Sequence, residues 1–349
     1  MRIAMISTPF LAVPPKKYGG TELVVYELVE GLVARGHHVV LFATGDSSTR
    51  AELRFAYPEA QWPPNSAADV YHISSAMDQV ADGDFDVVHT HSATSLGFTR
   101  LLPDIPLVYT LHHHRVEELS QFYRHFPNTH YVAISHRQRE LEVPLPHCEV
   151  IYHGLDPGRF ECGETAETYV SFIGRFSEEK GPHIAIDVAR AAGLPIHVAG
   201  EAHRPDIEFA KREMDSRLRE SHVTQLGCIG VAEKIPLLKK SRALLAPISW
   251  EEPFGLILTE AMLCGCPVIA FPRGSTPEII ENGISGYLVD SPDEMADIIR
   301  PGSVLDSFDR IRCRTHAATR FSRDRMVADH LRLYNQIVEE RSSTEILVA

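Results

Sequence analysis

The residues best able to do chemistry lie in two stretches of the second half. Gly174-Arg175-Phe176-Ser177-Glu178-Glu179-Lys180-Gly181 sets two cations five positions apart between glycines. It directly follows a strand-type run, Tyr169–Gly174, and precedes a helix-period segment, Ile184–Ala192. Backbone approach at the glycines, two cations and the amides of a helix start suit a phosphate group. Taken alone, the stretch reads equally as a turn whose cations pair with Glu178 or Glu179. There is no GxGxxG fingerprint and no G-x-x-x-x-G-K-[ST], so neither a dinucleotide fold nor a P-loop is signalled. The second stretch, Ser249 to Met262, puts Glu252 in a Pro/Gly turn and Glu260 eight residues later inside a helix. A carboxylate in such a turn can accept hydrogen bonds from sugar hydroxyls, and one within the helix can reach a ribose diol. The amides around Phe254, Gly255 and Leu256 can meet an anion. Glu260 sits among Leu256, Ile257, Leu258, Ala261 and Met262, where an unpaired charge is costly.

In the first half, Lys17-Tyr18-Gly19-Gly20-Thr21-Glu22 follows the first apolar run. The adjacent glycines Gly19 and Gly20 let backbone approach a ligand closely, although a flexible turn would look the same. His89-Thr90-His91 ends one strand-type run, and Leu111-His112-His113-His114 ends another. The chain has 19 histidines, 12 of them in the first 150 residues. Zinc is disfavoured, because adjacent side chains do not converge on one ion and no Asp or Cys stands at ligand spacing beside them. Asp84-Phe85-Asp86 precedes a strand and so falls at the edge of the sheet away from ligands. Cys264-Gly265-Cys266 reads as a close-packed helix–strand corner.

The elements that position these residues repeat one theme. Short apolar runs (Ile3–Ser7, His38–Ala43, Asp86–His89, Leu107–Leu111, Tyr131–Ile134) alternate with helical periods such as Thr21–Arg35, which Gly36 closes. The pattern restarts at Tyr169–Gly174 and continues through Ile196–Gly200, a charged helix over Phe209–Glu220, Val223–Leu226, Ala243–Pro247, Leu256–Leu263 and Pro267–Phe271. Val150–Thr168 reads as the linker, and Arg323–Glu340 as a last helix. This is α/β architecture with two doubly wound parallel sheets, whose strand C-termini are expected to face a shared cleft. At 349 residues, two domains are expected. Lys+Arg number 34 against Asp+Glu 47, a net charge of −13, which argues against nucleic acid and a polybasic membrane anchor. No apolar run approaches the ~20 residues of a membrane span. The six scattered cysteines fit reduced thiols in the cytoplasm.

Four features in order carry a resemblance to the retaining glycosyltransferases of family 4, which have the GT-B fold. They are Gly154-Leu155-Asp156, Gly-Arg-(x)4-Lys-Gly at 174–181, Glu252-(x)7-Glu260 with Pro-Phe-Gly, and Glu260-Ala-Met-(x)2-Gly-(x)-Pro-Val-Ile-Ala to 270. The resemblance covers nearly the whole chain and is weaker over 45–85. It implies two facing Rossmann-like domains: an acceptor-side domain over 1–152, completed by a C-terminal helix at about 323–341, and a nucleotide-sugar donor domain over 153–322. It implies that Arg175 and Lys180 hold the diphosphate of a UDP- or GDP-sugar, Glu252 the donor sugar and Glu260 the ribose, with Ile229 packing the base. Gly19, Gly20, Gly174, Phe254, Gly255 and Leu256 would line the donor site. His112 matches the family's active-site histidine, and His89, His91, His113 and His136 are weaker acceptor-side candidates. Family members usually have Asn at the position of His153 and often Glu at that of His136. No strand-end carboxylate in the first half is an evident nucleophile, so same-face attack without a metal or cofactor is expected, with a glycan or small-molecule acceptor. A sugar-nucleotide epimerase and a non-catalytic nucleotide-sugar-binding protein are the alternatives.

Overall fold

The computed structural model describes residues 1–102 and 104–348, with side chains through Arg341. The chain divides into two compact units, Met1–Leu155 together with the segment from Arg323 onward, and Asp156–Ser322.

The first unit is built on seven parallel strands: β1 (Arg2–Ile6), β2 (His38–Ala43), β3 (Glu52–Phe55), β4 (Val87–Thr90), β5 (Leu107–Thr110), β6 (His130–Ala133) and β7 (Cys148–Val150), ordered β3-β2-β1-β4-β5-β6-β7. The strand β1 is central, with Ile3 beside Val39 on one side and Val87 on the other. Ile3, Ala4, Met5 and Ile6 have no exposed surface, as expected of a parallel strand covered on both faces. The helix Gly20–Ala34 covers part of this sheet and carries three buried carboxylates, each with a partner. Thr8 donates to Glu22 at 2.7 Å, Thr49 donates to Glu30 at 2.8 Å, and Arg323 reaches Glu27 at 3.3 Å.

The second unit has six parallel strands: β8 (Val170–Ile173), β9 (Ile196–Ala199), β10 (Val223–Gly227), β11 (Leu244–Ala246), β12 (Val268–Ala270) and β13 (Gly286–Leu288). Their order is β10-β9-β8-β11-β12-β13. In both sheets the chain winds one way from the central strand and then reverses. The reversal falls between β1 and β4 in one and between β8 and β11 in the other, and such switch points are where doubly wound sheets take ligands. The core of the second unit joins Val170, Phe172, Val198 and Ile269 to Ile186 and Ala189 of the helix Pro182–Ala192.

Two local expectations are corrected, and three short strands are added. The charged helix over Phe209–Glu220 is not regular: a turn at Ile207–Phe209 passes into a π-type stretch, Ala210–Met214, and a 3-10 turn, Arg217–Arg219. Asp215 N bonds Ala210 O at 3.2 Å, and the wider turn turns both Phe209 and Met214, five apart, toward the core. The linker expected over Val150–Thr168 is not free of structure, since Val150 ends β7. Strands β3, β7 and β13 have no counterpart in the sequence reading; each is only three or four residues long.

The helix Arg323–Val348 belongs to the first unit. Arg323 N bonds Leu155 O at 2.7 Å, and Arg325 donates to the carbonyls of Tyr152 and His153 at 2.6 and 2.9 Å. Met326, Val327, Leu333, Tyr334 and Ile337 bury its inner face. Among the described residues no helix is long and apolar enough to cross a membrane.

Candidate active site

In the second unit the two switch-point strands deliver the predicted cations and carboxylate together. The loop after β8 carries Arg175 and Lys180, and the loop after β11 carries Glu252. Lys180 Nζ pairs with Glu252 Oε2 and lies 5.2 Å from the centre of the Trp250 ring. The indole Nε1–H of Trp250 donates to the same oxygen at 2.9 Å. Glu252 is only 8% exposed, so this network answers a buried charge. Arg175 pairs with Glu179 Oε1 and approaches Asp206 Oδ2 at 3.2 Å. The second partner was not anticipated; it comes from the irregular segment after β9.

Two glycines let these loops close. Gly181 adopts φ +71°, and a Cβ there would stand 2.5 Å from Pro247 O, the residue following β11. Gly274 adopts φ +57°, and a Cβ there would lie 2.2 Å from Glu252 N. Ser275 seals the same contact: its N–H bonds Glu252 O at 2.9 Å and its hydroxyl donates to Phe254 O at 2.8 Å.

Glu260 is 2% exposed within the helix Leu256–Leu263, and its partner is Lys234, which donates to both carboxylate oxygens at 2.5 and 2.6 Å. The charge in an apolar helix therefore has a cation, as its cost requires. Sequence reading missed Lys234, which lies 26 positions away on another helix, Val231–Lys240. Gly255, at φ +78°, precedes the helix whose first residue is Leu256. Phe254 offers backbone only, for its ring is 2% exposed and packs edge-on against Phe321 at 5.8 Å. Ile229 lies half-buried on the loop after β10, and Gly174 N bonds Ala199 O at 3.0 Å at the end of β8.

In the first unit, Gly19 and Gly20 follow β1 and open the helix Gly20–Ala34. The histidines form one continuous stack. Ring centres are separated by 5.3 Å from His330 to His89, 4.6 Å from His89 to His91, 5.0 Å from His91 to His112 and 5.3 Å from His112 to His153. His91 Nδ1 and His112 Nε2 are 2.7 Å apart. Burial, reinforced by neighbouring imidazoles, pushes His112 down to about 3 and holds His89, His91 and His153 well below the ordinary histidine value. His330 is pushed down to about 4 by burial, with the hydrogen bond to the Met326 carbonyl and then Asp329 opposing the fall and Arg325 and Arg332 adding to it. Its Nδ1–H donates to Met326 O at 2.9 Å, while Nε2 is buried without a hydrogen-bond partner among the described residues.

Two of the acceptor-side candidates have their ring nitrogens engaged within the protein. His89 is fully buried and spends both ring nitrogens inside the protein, on Tyr334 Oη at 2.5 Å and Thr110 Oγ1 at 2.7 Å. His113 is likewise engaged at both nitrogens, by Tyr123 Oη at 2.8 Å and His114 O at 2.7 Å. His136 is exposed and meets the Tyr152 ring edge-on at 5.9 Å. Among the described residues no three His, Cys, Asp or Glu side chains are arranged to hold a metal ion.

Two doubly wound α/β units with charged loops at the switch point define the GT-B class of sugar transferase. The chain belongs to the group 1, family 4 glycosyltransferases. Residues 18–159 match the model "Glycosyltransferase Family 4" and residues 160–301 the model "Glycosyl transferases group 1". It is 26% identical over 339 residues to the phosphatidyl-myo-inositol mannosyltransferase of Mycobacterium tuberculosis, covering 87% of each chain. Among solved structures it is similar to the sucrose-phosphate synthase of Thermosynechococcus elongatus, with a TM-score of 0.81 and 19% identity over 97% of this chain and all of that one. It is also similar to Anabaena HepE, solved with UDP and glucose, with a TM-score of 0.74 and 20% identity over 98% of this chain and all of that one. The protein is therefore an enzyme, a glycosyltransferase.

Proposed function

We propose that the enzyme moves a sugar from a nucleoside-diphosphate sugar to an acceptor hydroxyl with retention of anomeric configuration and without a metal. The observation that carries this reading is the pairing of Lys180 with Glu252 beside Arg175 at the switch point of the second sheet. In such a pair a diphosphate can replace the carboxylate as partner of the cation, which frees Glu252 to accept hydrogen bonds from the donor sugar. Arg175, Lys180 and the amides at the start of Leu256–Leu263 then stabilise the negative charge that grows on the departing diphosphate, the role a divalent ion would otherwise fill. Glu260, oriented by Lys234, takes the ribose diol. Same-face attack follows: the acceptor oxygen bonds to the anomeric carbon as the bond to the phosphate oxygen breaks, and that oxygen takes the acceptor's proton. His112 lies beside the transferring sugar and supports the positive charge that develops on it. A cytoplasmic setting belongs to this reading, supported by six cysteines that are all free.

The test is transfer from a panel of UDP-, GDP- and ADP-sugars to glycan and small-molecule acceptors, with product anomers read by NMR. Glu252→Ala is expected to lower kcat by about 10²–10³, the loss typical of one transition-state contact. Wild-type rates in Glu252→Ala, or in Arg175→Ala with Lys180→Ala, would sink the site assignment. Loss of activity in EDTA would sink the metal-free mechanism, and an inverted product would sink same-face attack.

A further inference from the structure

The contact between His91 and His112 settles a chemical question about His112. Two neutral imidazoles joined nitrogen to nitrogen at 2.7 Å need one N–H and one lone pair. The assignment is made on the far side of His91, where Nε2 faces Met5 Sδ at 3.3 Å. A thioether sulfur has no proton to give, so the contact is favourable only when His91 Nε2 carries the hydrogen. A neutral imidazole has a single N–H, so His91 Nδ1 carries the lone pair and accepts. His112 Nε2 is then the donor, and His112 Nδ1 is left with a lone pair. The surroundings hold this arrangement. Met5 and Leu111 are buried, His89 lies against one side of His91, and His153 stacks on His112 at an interplanar angle of 24°.

We propose that His91, anchored by Met5, is a positioning residue that fixes His112 as its Nε2–H tautomer, so that His112 offers substrate a hydrogen-bond acceptor at Nδ1. His112 then receives the hydrogen of a sugar hydroxyl and gives none. The substrate half of this inference rests on the proposed function; the tautomer half does not.

Long-range 1H–15N correlation NMR on protein labelled in histidine reads which ring nitrogen is protonated. The His112 signal is assigned by its loss in His112→Gln. At pH 7.5 and without substrate, both His91 and His112 are expected with the proton on Nε2. A proton on His112 Nδ1, or an average of the two forms, overturns the proposal, and this measurement needs only the wild-type fold. His91→Leu removes the acceptor, whereas His91→Asn keeps an amide oxygen near the Nδ1 position. His91→Leu is expected to lower kcat about tenfold with donor KM changed by less than about twofold, and His91→Asn to restore most of the rate. Equal losses in the two variants overturn the positioning role. Wild-type transfer by His112→Gln overturns the substrate half alone and leaves the tautomer result standing.

Discussion

Acid should unfold the first unit well before ordinary carboxylate titration would. Five imidazoles, the buried His89, His91, His153 and His330 and the partly buried His112, all lie below the ordinary histidine value in the folded protein. In the unfolded chain they titrate near 6.5. The unfolded state therefore binds more protons below that pH, and stability present above about pH 6.5 is lost as pH falls toward the folded-state values. For His112 at about 3 and His330 at about 4, the loss between pH 6.5 and 5 is 1.5 pH units at ~1.4 kcal/mol each, or about 2 kcal/mol per ring. His112 keeps some solvent contact, so its share is an upper figure. The two together approach ~4 kcal/mol, and the other three act in the same direction. A domain is stable by only ~5–15 kcal/mol, so a loss of this size takes a substantial part of that margin near pH 5. Urea titrations at pH 7.5, 6.5, 5.5 and 5, followed by hydrogen exchange resolved to β4 and β5 against β8 and β9, separate the two units. The reasoning is refuted if the β4 and β5 peptides keep the same unfolding free energy within ~0.5 kcal/mol from pH 7.5 to 5. His330→Phe should flatten the curve by one proton.

Other outcomes are fixed by single contacts. Gly181→Ala meets both a left-handed backbone and the Pro247 carbonyl, so it should cost ~1–3 kcal/mol in urea melts of the second unit and raise donor KM by displacing Lys180. Arg323→Met leaves Glu27 buried without that cation and should cost ~3–5 kcal/mol in thermal or urea unfolding, with Glu27→Leu in the same chain recovering most of the loss. Lys234→Met should destabilise the second unit by a similar ~3–5 kcal/mol, recovered by Glu260→Gln, while calorimetry shows weaker nucleotide binding in both variants.

Much of the parallel α/β architecture, though not the order of its strands, was legible because parallel strands are apolar throughout and their ends are punctuated by Gly, Pro or charge. His38–Ala43 and Leu256–Leu263 were placed to the residue, and Arg175, Lys180 and Glu252 were located by their position after strands. What escaped depends on distance along the chain. The partner of Glu260 is 26 residues away and that of Glu27 is 296, and no local window holds both members. The histidine stack draws residues from 89 to 330, so only its 89–91 and 112 parts carried any signal. The short strands β3, β7 and β13 lack the run length that separates a strand from a turn, and the π-type stretch mimics helical spacing until the core imposes the wider turn.

The return of the chain at Arg323 has a consequence for synthesis. The second unit is an insertion, and the two residues of the first unit that flank it, Leu155 and Arg323, are bridged by a 2.7 Å hydrogen bond. The first unit to leave the ribosome is thus the last to be finished, because His89 waits for Tyr334 and Glu27 for Arg323. The usual order, N-terminal domain first, is inverted. A ribosome-bound chain that stops at Ser322 should hold the second unit protease-resistant while β1 to β7 remain cleavable. The helix Arg323–Val348 is thus the element on which completion of the first unit depends.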